Sequence, residues 1–479
     1  MAASAAVTNQ RTVVTSRGQA APGGRQAPPG VWFDTLPGPL VPRPALTGDI
    51  RCDIAIVGAG FTGLWTAYYL KKAEPSLAVV VVEREIAGFG ASGRNGGWCH
   101  PSLPVDLETL EREAGRDMAL AMPRVMFNTV DEVGRVAAEE GIDAHYHQGG
   151  MFSLATAPEQ LRRTREEAEY WERWGFGDEV RWLDAGEVAE DIRVHGCLGG
   201  TLTAHSAVVQ PAALVRGLAD AAERHGVTIH EGSLVREFGP RTVRTAAGTI
   251  HADYVVRATE GYTTGFSGQH RRFIPIYSLM IATEPLPDEI WKQIGWSSRA
   301  TFGDGRHLYI YAARTPDGRI AIGGRGAPYH YGSSVRPDFE TVPEVFEKLR
   351  RVLVGFFPML ADVRITHQWG GPLAIPRDWH PSVGLDRATG IAWAGGYVGD
   401  GVATSNLCGR ILADLLLERQ TDLAHLPLVG HCSPLWEPEP LRWLGVHASM
   451  GLLAAADRRE ARTGRPAAWA AVVKRVLGV

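Results

Sequence analysis

The chain changes its hydrophobic rhythm several times, and each change predicts a different kind of element. "IAIVG" at residues 54–58 is an unbroken apolar run, the pattern of a strand buried on both faces of a parallel sheet. Phe61, Leu64, Trp65 and Tyr68 then recur at helical intervals until Pro75 ends the pattern. "AVVVVER" at 78–84 predicts a second strand, completing a βαβ unit. Residues 105–190 mix polar and apolar positions at helical spacing, as in "DLETLEREAGRDMALAMPRVMFNTVDEVGRVAAEEG", and predict helices. "AALVRGLADAAERHG" at 212–226 is another helix with a glycine stop, followed by the strand-like "VTIHEGSLVREF" and "GTIHADYVVRAT". That return predicts that the first domain resumes after an insertion.

Residues 272–330 differ in character. "FIPIYSLMIATE", "HLYIYAAR" and "GRIAIGGRG" read as strands, and Pro316, Asp317 and Gly318 mark a turn between the last two. The pattern predicts a hairpin in a mostly antiparallel sheet. Helical spacing resumes at 342–355, and residues 390–416 predict strand, Gly-rich turn and helix. Residues 31–50 are Pro-rich and predict a surface run, and 434–479 predict helices with polar breaks, docked on the nucleotide domain.

The turn between the first strand and helix carries chemistry. Gly58, Gly60 and Gly63 have G-x-G-x-x-G spacing, with Phe61 and Thr62 opening the helix. Such a turn lets backbone approach a pyrophosphate, and the helix N-terminus offers unpaired N–H groups and the positive end of its dipole. Glu83, twenty residues past the last glycine, stands where a carboxylate grips ribose hydroxyls. These features specify a dinucleotide but do not separate NAD from FAD. Two further segments do. "FGASGRNGGW" (residues 89–98) and "AGGYVGDGVAT" (394–404) supply glycine-rich backbone and polar groups for a longer cofactor. The second opens a helix whose N-terminus suits the electron-rich edge of a flavin.

Composition removes other classes. With 49 basic and 53 acidic residues there is no basic surplus for nucleic acid. Five scattered cysteines without C-x-x-C argue against a redox disulfide or structural zinc and fit a reducing, cytoplasmic setting; no metal is expected. No apolar run is long enough to span a membrane. Residues 1–30, rich in Ala, Ser, Gly, Pro and Gln, predict a disordered tail rather than a transit peptide.

"DIAIVGAGFTGLWTAYYL", "GASGRNGGW", "YVVRATEGYT", "TPDGRIAIGGRG" and "AWAGGYVGDGVATSNLCGRILADLL" together resemble FAD-dependent oxidoreductases of the D-amino-acid-oxidase superfamily. The narrower resemblance is to the branch of γ-glutamylputrescine oxidase-like amine oxidases. It implies an α/β (α+β) architecture: a Rossmann-like FAD-binding domain (31–104, 195–262 and 365–432), an interleaved antiparallel substrate domain (105–194 and 263–364), and a C-terminal helical extension (433–479). Carried over, Glu83 with Arg84 meets the adenosine ribose, and Ala91, Ser92, Arg94, Asn95, Gly96, Gly97 and Trp98 run along diphosphate and flavin. Val235 meets adenine, Ala258 and Thr259 the diphosphate, and Gly396, Tyr397, Gly399, Gly401 and Val402 the pyrimidine edge.

The resemblance also implies oxidation of an amine or amino acid by hydride transfer to flavin N5, the imine hydrolysing to a carbonyl, with O2 reduced to H2O2. The alternatives are a dehydrogenase using another acceptor, a flavin-dependent monooxygenase and a flavoprotein without turnover. "GVATSNLCG" after Asp400 disfavours the monooxygenase, which has His and a Pro-rich turn there. No cysteine occurs between residues 370 and 384, where relatives attach flavin covalently, so FAD is expected to be non-covalent. The oxygen-activating lysine of those relatives has no counterpart, since only Lys292 lies between Lys72 and Lys348. His100, Arg271 and Arg272 are candidates for its role. Tyr277, Tyr309, Tyr311, Trp369 and Tyr397 are candidate aromatic walls, and Arg314 is a candidate carboxylate-binding group if the hairpin register turns it inward.

Overall fold

A computed structural model describes residues 28–324 and 328–477. The tail expected at 1–30 lies outside the described residues except for its last three positions, as does Arg325 of the "GGRG" stretch.

The apolar strands form a sheet whose core is parallel: Thr228–His230, Val79–Val82, Ile50–Val57, Thr249–Arg257 and Ile391–Gly395 lie side by side in that order. Ser382–Asp386 closes one edge antiparallel, and the Val235–Gly239 and Thr242–Thr245 ribbon pairs onto the Thr249–Arg257 strand. Unbroken apolar sequence is needed because both faces are covered. Ile54, Ile56, Val79 and Val81 point into a core shared with helices Phe61–Ala73, Arg116–Glu139, Pro211–Arg224 and Gly401–Leu416. Ala55, Val57, Val80 and Val82 pack on the opposite face against Val235, Val243 and Ile250.

Among the described residues the second sheet also has eight strands: Ile365–Ile375, Ile274–Thr283, Ile320–Gly324, Ile310–Arg314, Thr301–Asp304, Met151–Ala155, Gly199–Thr203 and Val180–Asp184. Every pairing is antiparallel except Thr301–Asp304 with Met151–Ala155. This corrects the expectation that 105–190 is helical throughout. Met151–Ala155 and Val180–Asp184 are five-residue strands between helices, too short for periodicity to separate from a helical turn. Sheet membership also departs from the expected segments. Gly199–Thr203 and Ile365–Ile375 belong to the second sheet, whereas the helices at 107–139 pack in the core of the first.

Two terminal segments correct the sequence reading. Val31, Trp32 and Phe33, expected on a surface run, are buried, with Trp32 Nε1 donating to the Asn95 carbonyl at 2.7 Å. The C-terminal helices Leu441–Thr463 and Ala468–Leu477 pack mainly against the second sheet and its loops, through Ile274, Tyr329, Ile375 and Leu308, rather than on the first domain. Among the described residues no helix is long and apolar enough to cross a membrane.

Candidate active site

The C-terminal ends of the parallel strands open onto a cavity of about 500 Å³. Gly58, Gly60, Phe61, Thr62, Glu83, Arg84, Ala91, Ser92, Asn95, Val235, Ala258, Thr259, Tyr397, Gly399, Gly401 and Val402 all line it. The helix at Phe61–Ala73 can start there because Gly63 carries no side chain: a Cβ would collide with the Gly58 carbonyl. Ser92 Oγ accepts from Phe61 N–H at 2.8 Å, tying the second glycine-rich segment to the first. Glu83 accepts from Ala59 N–H at 3.0 Å and Glu85 N–H at 2.9 Å, and burial raises its carboxyl above the ordinary range. Neither Gly60 nor Asp400, the residues capping the two helices that open here, makes a side-chain cap. Helix N-termini of this kind suit the diphosphate and the flavin's pyrimidine edge, and Glu83 suits ribose hydroxyls. The lining therefore fits FAD.

A second cavity of about 70 Å³ adjoins the first and shares Ala91, Asn95, Leu373, Gly399 and Val402 with it. Its other walls include Arg94, Gly96, Trp98, Ser278, Tyr309, Tyr311 and Asp400. Tyr311 Oη and Ser278 Oγ are 2.6 Å apart, and the Trp98 and Tyr311 rings meet edge to face with centroids 5.9 Å apart. Gly96 is required by this approach, since a Cβ would sit 2.8 Å from the Tyr311 ring. Arg94 is committed elsewhere: its guanidinium pairs with Glu340 at 2.7 Å and donates to Tyr262 Oη at 3.0 Å.

Several expected residues lie outside both cavities. Strand alternation puts Ser278 and Tyr311 on the cavity face but Tyr277 and Arg314 on the other. Tyr277 exchanges hydrogen bonds with the Arg336 backbone, and Arg314 stacks over Trp291, 3.9 Å from the ring centre. Neither is a pocket residue. Trp369 is on the cavity face but one step too far along its strand; it lies beneath the flavin loop and donates to the Arg94 carbonyl at 2.8 Å. His100 bonds Ser206 Oγ at 2.7 Å, and burial pushes its pKa down to about 4, so it is neutral and no cationic activator of oxygen. Gly97 supports the loop from behind, against Trp32 and Val209. Gly396 turns its N–H to Glu260 at 2.9 Å.

Glu260 is the residue that sequence reasoning missed, although it stands inside "YVVRATEGYT". It lines the larger cavity, and burial pushes its pKa up to about 7. A glutamate in the turn after an apolar strand, beside Arg257, was the available signal. The cavity wall at Ser333–Val335, with His270 and Gly332, was also missed because loop approach leaves no periodicity. None of the five lysines is among the described residues lining either cavity.

A family model described as "DAO: FAD dependent oxidoreductase" matches residues 53–415. The chain belongs to this family. FAD is thus its cofactor, and the fold and superfamily implied by the glycine-rich segments are confirmed. Over 395 residues the chain is 32% identical to the γ-glutamylputrescine oxidoreductase of Escherichia coli (strain K12), covering 81% of this chain and 89% of that protein. It is 23% identical to the glycine oxidase of Bacillus subtilis (strain 168) over 380 residues, 77% of this chain and 94% of the relative. The crystal structure of glycine oxidase from Geobacillus kaustophilus superposes with a TM-score of 0.66 at 22% identity, over 80% of this chain and 99% of that one. The family member described here is therefore an FAD-dependent oxidoreductase of the same fold.

Proposed function

We propose that the protein oxidises the C–N bond of an amine or amino acid and passes the electrons to O2, in the cytoplasm. The observation that carries this reading is the small aromatic-walled cavity adjoining the FAD cavity. When bound, FAD supplies the two-electron oxidant. The chain supplies placement and dryness. Trp98, Tyr309 and Tyr311 exclude water and offer ring faces to an ammonium before it loses its proton. Ser278 fixes the Tyr311 hydroxyl, and Arg94, held by Glu340 and Tyr262, anchors the loop that carries Trp98. Holding the reacting carbon in an aligned geometry lowers the barrier without a strong base, a role that the rings of Trp98, Tyr309 and Tyr311 in the lining can fill. Loss of two electrons and two protons leaves an imine, which water converts to a carbonyl and an amine or ammonia. The names of the relatives, an oxidoreductase of a putrescine derivative and a glycine oxidase, support a nitrogen-bearing substrate. All five cysteines are free, as a reducing compartment allows.

A dehydrogenase using another acceptor is the second reading, favoured by the absence of lysine among the described residues lining the cavities and by the neutral His100. Carbonyl product and H2O2 formed in equal amounts with air as sole acceptor establish the oxidase. Carbonyl product only with an added dye or quinone establishes the dehydrogenase.

A further inference from the structure

The family match ends at residue 415, but the C-terminal segment beyond it is no mere appendage. Between Trp436 and Val446 it packs on or bonds to wall residues of both cavities, and farther along it fastens the stretch just before Tyr309. At its start, Trp436 N–H donates to the Arg271 carbonyl at 2.8 Å and Trp436 Nε1 to the Ile375 carbonyl at 2.8 Å. Trp436 and Val446 share an apolar cluster with Val398 and Leu373, both lining the smaller cavity. Glu439 Oε1 accepts from Gly332 N–H at 2.8 Å, and Arg442 donates to the His270 carbonyl at 3.0 Å; Gly332 and His270 line the larger cavity.

The far end is a second clasp. Asp457 accepts from His307 N–H at 2.8 Å and Leu308 N–H at 3.1 Å. Glu460 holds the His307 ring at 3.1 Å and pairs with Arg163, which in turn donates to the Gly305 carbonyl at 2.9 Å. Leu308 packs among Leu453, Ala456 and Ala467. Every one of these contacts ends one to four residues before Tyr309, a wall of the smaller cavity. His307, Asp457 and Glu460 are close enough together to suggest a cation site. However, Arg163 already neutralises Glu460, and both Asp457 oxygens are taken by backbone N–H groups.

We propose that residues 434–477 form a strap that sets the shape of the substrate cavity, with Asp457 as the positioning residue for Tyr309. The proposal rests on reading the smaller cavity as the substrate site. A carboxylate fastening two consecutive amides fixes the backbone immediately before Tyr309, so its loss lets that wall move without unfolding the sheet behind it.

The test uses the full-length, FAD-loaded enzyme and the Asp457→Ala variant, with Arg458→Ala on the same helix as control. Amide hydrogen exchange should quicken through residues 307–311 but not in the Ile274–Thr283 strand, which does not pair with that stretch. KM for the best amine should rise about ten-fold with kcat within about two-fold of wild type, the mark of binding lost equally from the substrate and the transition state when the Tyr309 wall moves. In a Tyr309→Ala background, Asp457→Ala should add little further to KM, because coupled residues are not additive. Should Asp457→Ala not fold, Asp457→Asn retains one oxygen acceptor and should give the same pattern at smaller amplitude. Unchanged exchange at 309–311, or KM effects that simply multiply in the double variant, would overturn the strap. If no amine is turned over by wild type, the proposed function fails, while the exchange experiment still decides the strap.

Discussion

Glu260 and Gly396 are 136 residues apart in the chain, yet the Glu260 carboxylate accepts the Gly396 N–H at 2.9 Å. The same carboxylate takes Tyr397 N–H at 3.4 Å, so one side chain holds the turn that leads into the Gly401–Leu416 helix. Glu260 does so with a φ of 40°, in the left-handed region that costs a residue with a Cβ. Burial raises its pKa from an ordinary 4.5 to about 7. The unfolded chain releases this proton at lower pH than the folded protein, so the group's contribution to stability falls as pH rises across that interval. Glu260→Gln should keep an acceptor for Gly396 and lose the titration. The melting temperature of the variant apoprotein should gain on wild type between about pH 5 and about pH 8. An equal difference at both pH values would show that Glu260 does not titrate there.

Glu83 should be the main single contributor to ribose binding. Glu83→Ala removes a charge-assisted acceptor worth about 1.5–3 kcal/mol, a weakening of FAD binding of roughly ten- to a hundred-fold, read by titrating apoprotein with FAD. FAD itself should leave with the supernatant on acid precipitation. Cys99 is buried and its thiol pushed well above the usual range by desolvation, and His100 is bonded to Ser206.

His100 should be silent in the pH dependence of catalysis. Its pKa of about 4 keeps it neutral above about pH 5. The kcat/KM profile of His100→Gln should follow the wild-type shape between about pH 6 and about pH 9. A limb missing from the variant would return His100 to the mechanism.

Arg314 should act on stability and not on substrate choice. Arg314→Met loses the cation–π contact with Trp291 and should cost about 0.5–1 kcal/mol in denaturant unfolding. KM should be unchanged for acidic and neutral amines alike. A selective rise for acidic amines would place the guanidinium in the pocket.

The cofactor half of the site was legible because its chemistry is local. A glycine turn, an uncapped helix start and a carboxylate twenty residues on are read from spacing, and Gly58, Gly60 and Glu83 do line the cavity. The substrate half depends on which face of a strand looks inward, and a single step along the chain reverses it. Tyr277 drew attention as an aromatic, while its neighbour Ser278 is the residue in the wall. Trp369 has the right face and the wrong height. Glu260 stands in a turn after an apolar strand, which marks it as a candidate, but the backbone N–H groups it holds are far away in sequence, so its role could not be read locally. The short strands at 151–155, 180–184 and 199–203 escaped for a related reason: their pairing is non-local, and five residues hold too few periods to count.

Amine oxidation requires the cavity adjoining the FAD site to present an amine to the flavin. FAD-loaded enzyme mixed without oxygen with primary, secondary and amino-acid amines tests it most directly. At least one amine should bleach the yellow flavin absorbance at a rate that saturates with amine concentration, and admitted air should restore the colour with formation of H2O2. Flavin that stays oxidised with every amine, but bleaches with NADPH, would contradict it.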